Sequence, residues 1–227
     1  MEINNLTLRL ILILCIINTS ISYSMDIGSL TSIIQEDQNF IAKVIRNNTE
    51  RPHIYDLEIH GLLNPKLDIH SKINKGEVLF TPKKFVLAPG ESKIIKIFYN
   101  GLQDDKERYY KILFRELPAP NQLDIDESND KAAFYMTLSL EGILVVRPRQ
   151  LNFSYLYDRS SSTILNNGNT YFEIIQKKTC DQPDSEATSR YLLSNERMKL
   201  EKPKSNGDIV IVHKNKFIYL TNNCNSY

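Results

Sequence analysis

The most restrictive feature of this chain is a fifteen-residue run, Ala132 to Val146 (AAFYMTLSLEGILVV), in which Phe134, Met136, Leu138 and Leu140 alternate with Tyr135, Thr137, Ser139 and Glu141. A period of two is the period of a β-strand with one apolar face, and this run is long for a strand. Arg147-Pro148-Arg149 ends it. Proline has no N–H for a ladder, so regular pairing stops there and a domain boundary is expected at about residue 148.

Shorter runs of the same kind precede it. From Ile54 to His60, Tyr55, Leu57 and Ile59 face one way while Asp56, Glu58 and His60 face the other. Phe40 to Arg46 reads as a strand with Phe40, Ala42 and Val44 on one side, and Tyr109 to Glu116 places Tyr110, Ile112 and Phe114 together. Thr81 to Tyr99 reads as two strands around Ala88-Pro89-Gly90-Glu91, where proline presets φ and glycine accepts a positive φ. Asn121 to Lys131 is polar, acidic and aperiodic, the composition of a mobile surface loop.

Beyond residue 148 the strand candidates are Leu151–Tyr157, Tyr171–Gln176, Ile209–His213 and Lys216–Leu220, with Asn166-Asn167-Gly168-Asn169 as a turn and one short helix within Ser185–Lys199. Short strands between turn signals, without a long amphipathic helix, predict an all-β chain of two immunoglobulin-like sandwiches. The expected domains are 25–147, carrying the strand 132–146, and a smaller one over 148–227.

Leu10 to Ile17 (LILILCII) is apolar, follows Arg9 and precedes Ser22-Tyr23-Ser24. Eight residues are too few to span a bilayer, which takes about 20, but suit the apolar centre of a secretory signal. Residues 1–24 are therefore expected to be a cleaved signal peptide and Met25 the start of the mature chain. Its removal takes Cys15 with it and leaves Cys180 and Cys224. In an exported chain such a pair reads as one disulfide, worth about 3–4 kcal/mol of chain entropy, or else as two free buried thiols.

Signals of chemistry are sparse. A formal charge of +1 argues against a dedicated nucleic-acid binder. His53, His60, His70 and His213 lack metal-ligand spacing, and no nucleotide-binding or nucleophile motif occurs. No cofactor, metal or catalysis is expected, and the chain reads as a binding protein.

One ordered set of segments carries a family likeness. Phe80-Thr81-Pro82, Phe85-Val86-Leu87 with Pro89-Gly90, Lys96, Asp105-Lys106-Glu107-Arg108 and Arg115-Glu116-Leu117-Pro118 follow one another. Together they resemble the first domain of the periplasmic chaperones of chaperone–usher pilus systems. Met25-Asp26-Ile27-Gly28, Lys106 to Tyr110, Gly142 to Val146 and Pro148-Arg149-Gln150 are similar to the common-pilus (Mat fimbria) branch.

The resemblance implies a PapD-like pair of sandwiches in the periplasm. It also implies capture of pilin subunits and the tip adhesin by donor-strand complementation, and delivery to an outer-membrane usher. An edge strand is lent to a subunit that lacks one: main-chain hydrogen bonds give affinity and alternate side chains fill pockets. Phe134, Met136, Leu138 and Leu140 take the donor positions, and such an edge could also pair with a second copy. An internal salt bridge maps onto Lys96 and Glu107. The family's basic anchor for the subunit carboxylate is not matched, since Ile143 stands at the lysine position and 25–37 holds no basic residue. By charge alone, Lys43, Arg46, Arg147 or Arg149 is the candidate replacement. The rival is a secreted immunoglobulin-like adhesion module with the long strand internal to its own fold.

Overall fold

The computed structural model describes residues 25–119, 137–201, 207–221, 223 and 224. The expected signal peptide, the acidic loop 121–131 and the first part of the long strand lie outside the described residues.

Two sandwiches follow each other along the chain. In the first, one sheet has the order β1 (Met25–Asp26), β3 (Phe40–Asn47), β8 (Ser92–Tyr99), β6 (Val78–Thr81). The facing sheet runs β2 (Thr31–Ile34), β10 (Leu138–Val146), β9 (Arg108–Pro118), β4 (His53–Asn64), β5 (Ile69–Ser71), with β7 (Lys84–Leu87) also on β4. Ile45, Tyr55, Leu57, Ile97, Ile112, Phe114 and Leu144 fill the space between.

The alternation of β4 and β9 is observed as expected, with Tyr55, Leu57, Tyr110, Ile112 and Phe114 inward. The turn at Pro89-Gly90 is present, with Gly90 at φ +75°. Its flanking strands are not a hairpin, however: β7 pairs with β4 and β8 with β3, in different sheets. For β3 the expected face is reversed. Phe40 and Val44 are exposed, while Lys43, Ile45 and Asn47 are buried. Both faces of this strand carry apolar residues, so alternation alone does not choose between them.

The second sandwich joins β11 (Tyr155–Asp158), β12 (Thr163–Asn166) and β15 (Arg197–Lys199) to a sheet ordered β14 (Thr188–Leu192), β13 (Phe172–Gln176), β16 (Ile209–His213), β17 (Lys216–Thr221). Ile164, Phe172, Ile174, Leu192 and Ile211 form its core. The helix expected within Ser185–Lys199 is absent: only Asp184–Glu186 makes a 3-10 turn, and β14 and β15 occupy the rest. Pairing of Leu192 with Phe172 and of Met198 with Ile164 decides the local conformation there. Cys180 and Cys224 form a disulfide with Cα atoms 5.3 Å apart, tying the loop after β13 to the chain beyond β17.

The two sandwiches share one corner device. Asn47, at the end of β3, donates through Nδ2 to the carbonyls of Arg51 (2.7 Å) and Leu87 (3.1 Å), and its Oδ1 accepts the Thr49 amide. Asn166, at the end of β12, donates likewise to Thr170 (2.8 Å) and Leu192 (3.0 Å) and accepts the Gly168 amide. Both asparagines are fully buried.

Candidate functional site

The site begins where the first strand changes sheets. β1 pairs with β3, then the chain turns at Gly28, whose φ is +62° and whose amide is held by Asp26 Oδ1 at 2.8 Å. It continues as β2, parallel to β10. That pairing covers only Ile143 to Val146. On its other side β10 pairs with β9 along its whole length, Leu138 to Val146. Among the described residues, the segment from Leu138 to Gly142 is therefore an open sheet edge.

Its backbone direction follows from the ladder. The Ile143 amide donates to the Leu30 carbonyl at 2.8 Å, on the β2 side. Alternation then aims the N–H and C=O groups of Ser139 and Glu141 to the same open side. Gly142 marks the limit of β2, since a Cβ there would lie 2.8 Å from the Leu30 carbonyl oxygen.

Leu138 and Leu140 share the face that bears Leu144 and Val146 deeper in the core. Leu140 packs against the core of its own sandwich, whereas Leu138 is 37% exposed. The apolar stripe thus continues past the end of the sandwich. Phe134 and Met136, the other two expected donor residues, lie outside the described residues.

The four candidate cations part company in space. Arg46 is exposed on the outer face of β3. Arg149 is engaged by the carbonyls of Glu36 (2.9 Å) and Gln38 (2.6 Å). Arg147 is consumed by a carboxylate. Lys43 alone sits beside the open edge, its ammonium donating to the Ser29 carbonyl and lying 5.8 Å from the centre of the Phe114 ring. Lys43 is 8% exposed, and burial holds its ammonium below the usual lysine range while Asp26 pulls it back up.

The expected Lys96–Glu107 bridge is corrected by the structure. Lys96 is exposed mid-strand on β8, opposite Ala42 and Thr81. Glu107 lies at the seam between the sandwiches, where its carboxylate accepts from Arg147 (2.6 Å), Thr170 (2.6 Å), the Tyr171 amide (2.9 Å) and the Tyr109 hydroxyl. Burial and the adjacent Glu107 charge push the Tyr109 hydroxyl well above the usual tyrosine range. The Arg147 guanidinium also lies 4.3 Å from the centre of the Tyr171 ring. Around this ion pair, Leu62, Tyr109 and Val145 of the first sandwich pack with Leu193 of the second. A cleft of about 780 Å³ opens beside the seam, between Ile143 and Val145 on β10 and Tyr191 and Val212 on the second sandwich.

This arrangement suits addition of a strand to β10, with apolar side chains offered on one face and a cation at the far end. Comparisons with known proteins agree with it. Residues 24–152 match the family described as "Pili and flagellar-assembly chaperone, PapD N-terminal domain". A relative named "Probable fimbrial chaperone EcpE" from Escherichia coli (strain K12) is 30% identical over 220 residues, 96% of this chain and 93% of its own. "Probable fimbrial chaperone EcpB" of Escherichia coli O157:H7 is 30% identical over 173 residues, 75% of this chain and 77% of its own.

The solved class 5 fimbriae chaperone CfaA shares the fold with a TM-score of 0.56 at 15% identity, covering 86% of this chain and 97% of its own. The complex of CsuC with the tip subunit CsuE, from archaic Csu pili of Acinetobacter baumannii, aligns with a TM-score of 0.54 at 17% identity, covering 87% and 97%. On the matched domain and the full-length likeness to the fimbrial chaperones of Escherichia coli, the chain belongs to the PapD-type family of pilus-assembly chaperones.

Proposed function

We propose that the mature chain, residues 25–227 divided at about residue 148, works in the periplasm. It captures pilin subunits and the tip adhesin by lending them the open edge of β10, and passes them to an outer-membrane usher. The observation that carries the reading is the half-covered strand: among the described residues, β10 is paired on both sides only from Ile143 onward. A long apolar edge is a liability that soluble proteins normally cover, so one left open beside a buried lysine is suited to a partner's strand. Leu138 and Leu140, with Phe134 and Met136 upstream, would fill the subunit's groove, and Lys43 would face its terminal carboxylate. Relatives named as fimbrial chaperones, and a related fold solved with a tip adhesion subunit, support this assignment. Binding by strand addition requires no bond-making, cofactor or nucleotide.

The test is co-purification from the periplasm with the fimbrial subunits of the same organism, comparing wild type with Leu138→Asp. Wild type should retain a subunit at one-to-one stoichiometry and the variant should lose it, because a carboxylate cannot enter an apolar groove without a large desolvation cost. A folded wild-type protein that retains no subunit would sink the chaperone reading and favour an adhesion module.

A further inference from the structure

The fold gathers two histidines whose spacing along the chain gives no hint of a shared site. Leu62 on β4 pairs with His70 on β5, and His60 stands two residues before Leu62, so both imidazoles rise from the same face of the sheet. Their ring centroids lie 6.1 Å apart and their planes are nearly perpendicular, at 88°. Both side chains are open to solvent, 46% exposed for His60 and 57% for His70.

Each ring faces a carboxylate from its own strand or the turn before it. His60 Nε2 lies 3.3 Å from Glu58 Oε2, and His70 Nε2 lies 3.9 Å from Asp68 Oδ2. An ionised carboxylate only accepts, so the Glu58 contact places the His60 proton on Nε2 and leaves the lone pair on Nδ1. Neither Nδ1 has a hydrogen-bond partner among the described residues. The carboxylates are held in turn. Arg115 grips Glu58 through both oxygens, at 2.7 and 2.9 Å, and Lys111 joins Asp68 to Glu141 on β10. Three carboxylates against two cations leave this patch negative.

An imidazole oriented through one nitrogen by a carboxylate, with the other nitrogen open, is the arrangement of a metal-bound histidine. Two such rings on one tetrahedral ion, with metal–nitrogen bonds of about 2.0–2.1 Å, have centroids about 5 Å apart. The pair therefore closes on an ion by a movement of about 1 Å, which exposed side chains make freely. Among the described residues no group of three His, Cys, Asp or Glu side chains converges on one point, so water completes the coordination.

We propose that His60 and His70 form a surface site for a divalent transition-metal ion of the Cu²⁺, Ni²⁺ or Zn²⁺ type, bound through the two Nδ1 atoms. Imidazole nitrogens select these ions over Mg²⁺ and Ca²⁺, which take oxygen. β9 separates the site from β10, and the proposal does not depend on the donor-strand reading.

The experiment titrates the tag-free mature chain, without any subunit, with zinc chloride by calorimetry. One ion should bind per chain. His60→Gln and His70→Gln should each weaken binding roughly tenfold or more, because the chelate is lost, while His53→Gln leaves it unchanged. In long-range proton–nitrogen spectra the Nδ1 signals of His60 and His70 should shift together, complete at one equivalent, with Nε2 still protonated. Binding that survives the loss of either histidine would overturn the proposal. Two ions per chain, each lost with its own histidine, would also overturn it by showing two independent imidazoles. A chain that binds no zinc would do the same and leave the β10 reading standing.

Discussion

Arg147 and Glu107 meet at 2.6 Å in the seam between the sandwiches, with side chains only 4% and 2% exposed. Arg147 directly follows the last residue of β10, and Glu107 directly precedes β9. The edge proposed for binding and the joint between the sandwiches are therefore one continuous stretch of chain. Through Thr170 and Tyr171 the same carboxylate holds the second sandwich at the entry to β13.

Breaking this pair should uncouple the sandwiches. Glu107→Ala leaves a buried guanidinium without its counter-charge, a change that typically costs about 3–5 kcal/mol. Urea unfolding followed separately in each half should then change from one transition to two, the second sandwich melting on its own. Replacing both residues, as Glu107→Leu with Arg147→Met, should recover most of the loss, because no uncompensated charge remains. If Glu107→Ala unfolds in one unshifted transition, the pair does not hold the joint.

Much of this architecture was legible in the alternation of single strands, and the failures have a common cause. β4 and β9 carry apolar residues on one face, so Tyr55, Leu57 and Ile112 were placed inward without ambiguity. β3 carries them on both faces, and the choice between Phe40 and Ile41 is made by the facing sheet. β2, β12, β14 and β15 each have only three to five residues, too few for alternation to register, and β2 and β15 are in addition held by partners distant in sequence, as Met198 is by Ile164. The partner of Glu107 arrives 40 residues later along the chain. Spacing reports a strand's own faces and leaves open which cation will reach a given carboxylate. Leu138 and Leu140, half of the stripe proposed as donor, share one face of β10, but the shortness of β2, beyond which β10 has no second partner among the described residues, appears only in the fold.

Gly142 should control how much edge is exposed. A side chain there would meet the Leu30 carbonyl oxygen at 2.8 Å, and a backbone atom cannot swing aside as a side-chain tip would. Gly142→Val is therefore expected to push β2 away from β10 and to cost about 1–3 kcal/mol. The amides of Ile143 and Arg147, which donate to Leu30 and Ile34, should exchange with solvent faster by a factor of ten or more. Unchanged protection of both amides would show that β2 tolerates the added volume.

Lys43 should trade stability for binding. Burial lowers its affinity for a proton below the usual lysine value of 10.5, so between the folded and unfolded values the unfolded chain binds more protons. Stability therefore rises with pH through the window just below 10.5, and at neutral pH the buried charge is a standing cost. Lys43→Met should remove that rise and make the free protein more stable at neutral pH by about 1 kcal/mol, the hydrogen bond to Ser29 being lost in exchange for the relieved charge. The same variant should capture fimbrial subunits at least tenfold more weakly. A variant that is less stable and binds normally would place Lys43 among the structural residues.

Asn47 and Asn166 should each govern its own half of the chain. Each buried side-chain amide of this pair satisfies two carbonyls and one backbone N–H. Truncation to alanine removes all three bonds at each corner, although the Arg51 carbonyl keeps the Thr49 hydroxyl and the Gly168 amide keeps the Ser154 carbonyl, so each variant costs roughly 1–3 kcal/mol. Asn47→Ala should loosen the β3–β7 corner, and Asn166→Ala the corner between β12 and β14. The sites lie in different sandwiches with no shared partner, so their costs should add to within about 0.5 kcal/mol. Site-resolved hydrogen exchange checks the pairing: Asn166→Ala should release amides around Gly168 before those around Thr49, and Asn47→Ala the reverse. Equal release at both corners from either variant would mean that the sandwiches open as a single unit, with the Arg147–Glu107 joint transmitting the damage from one to the other.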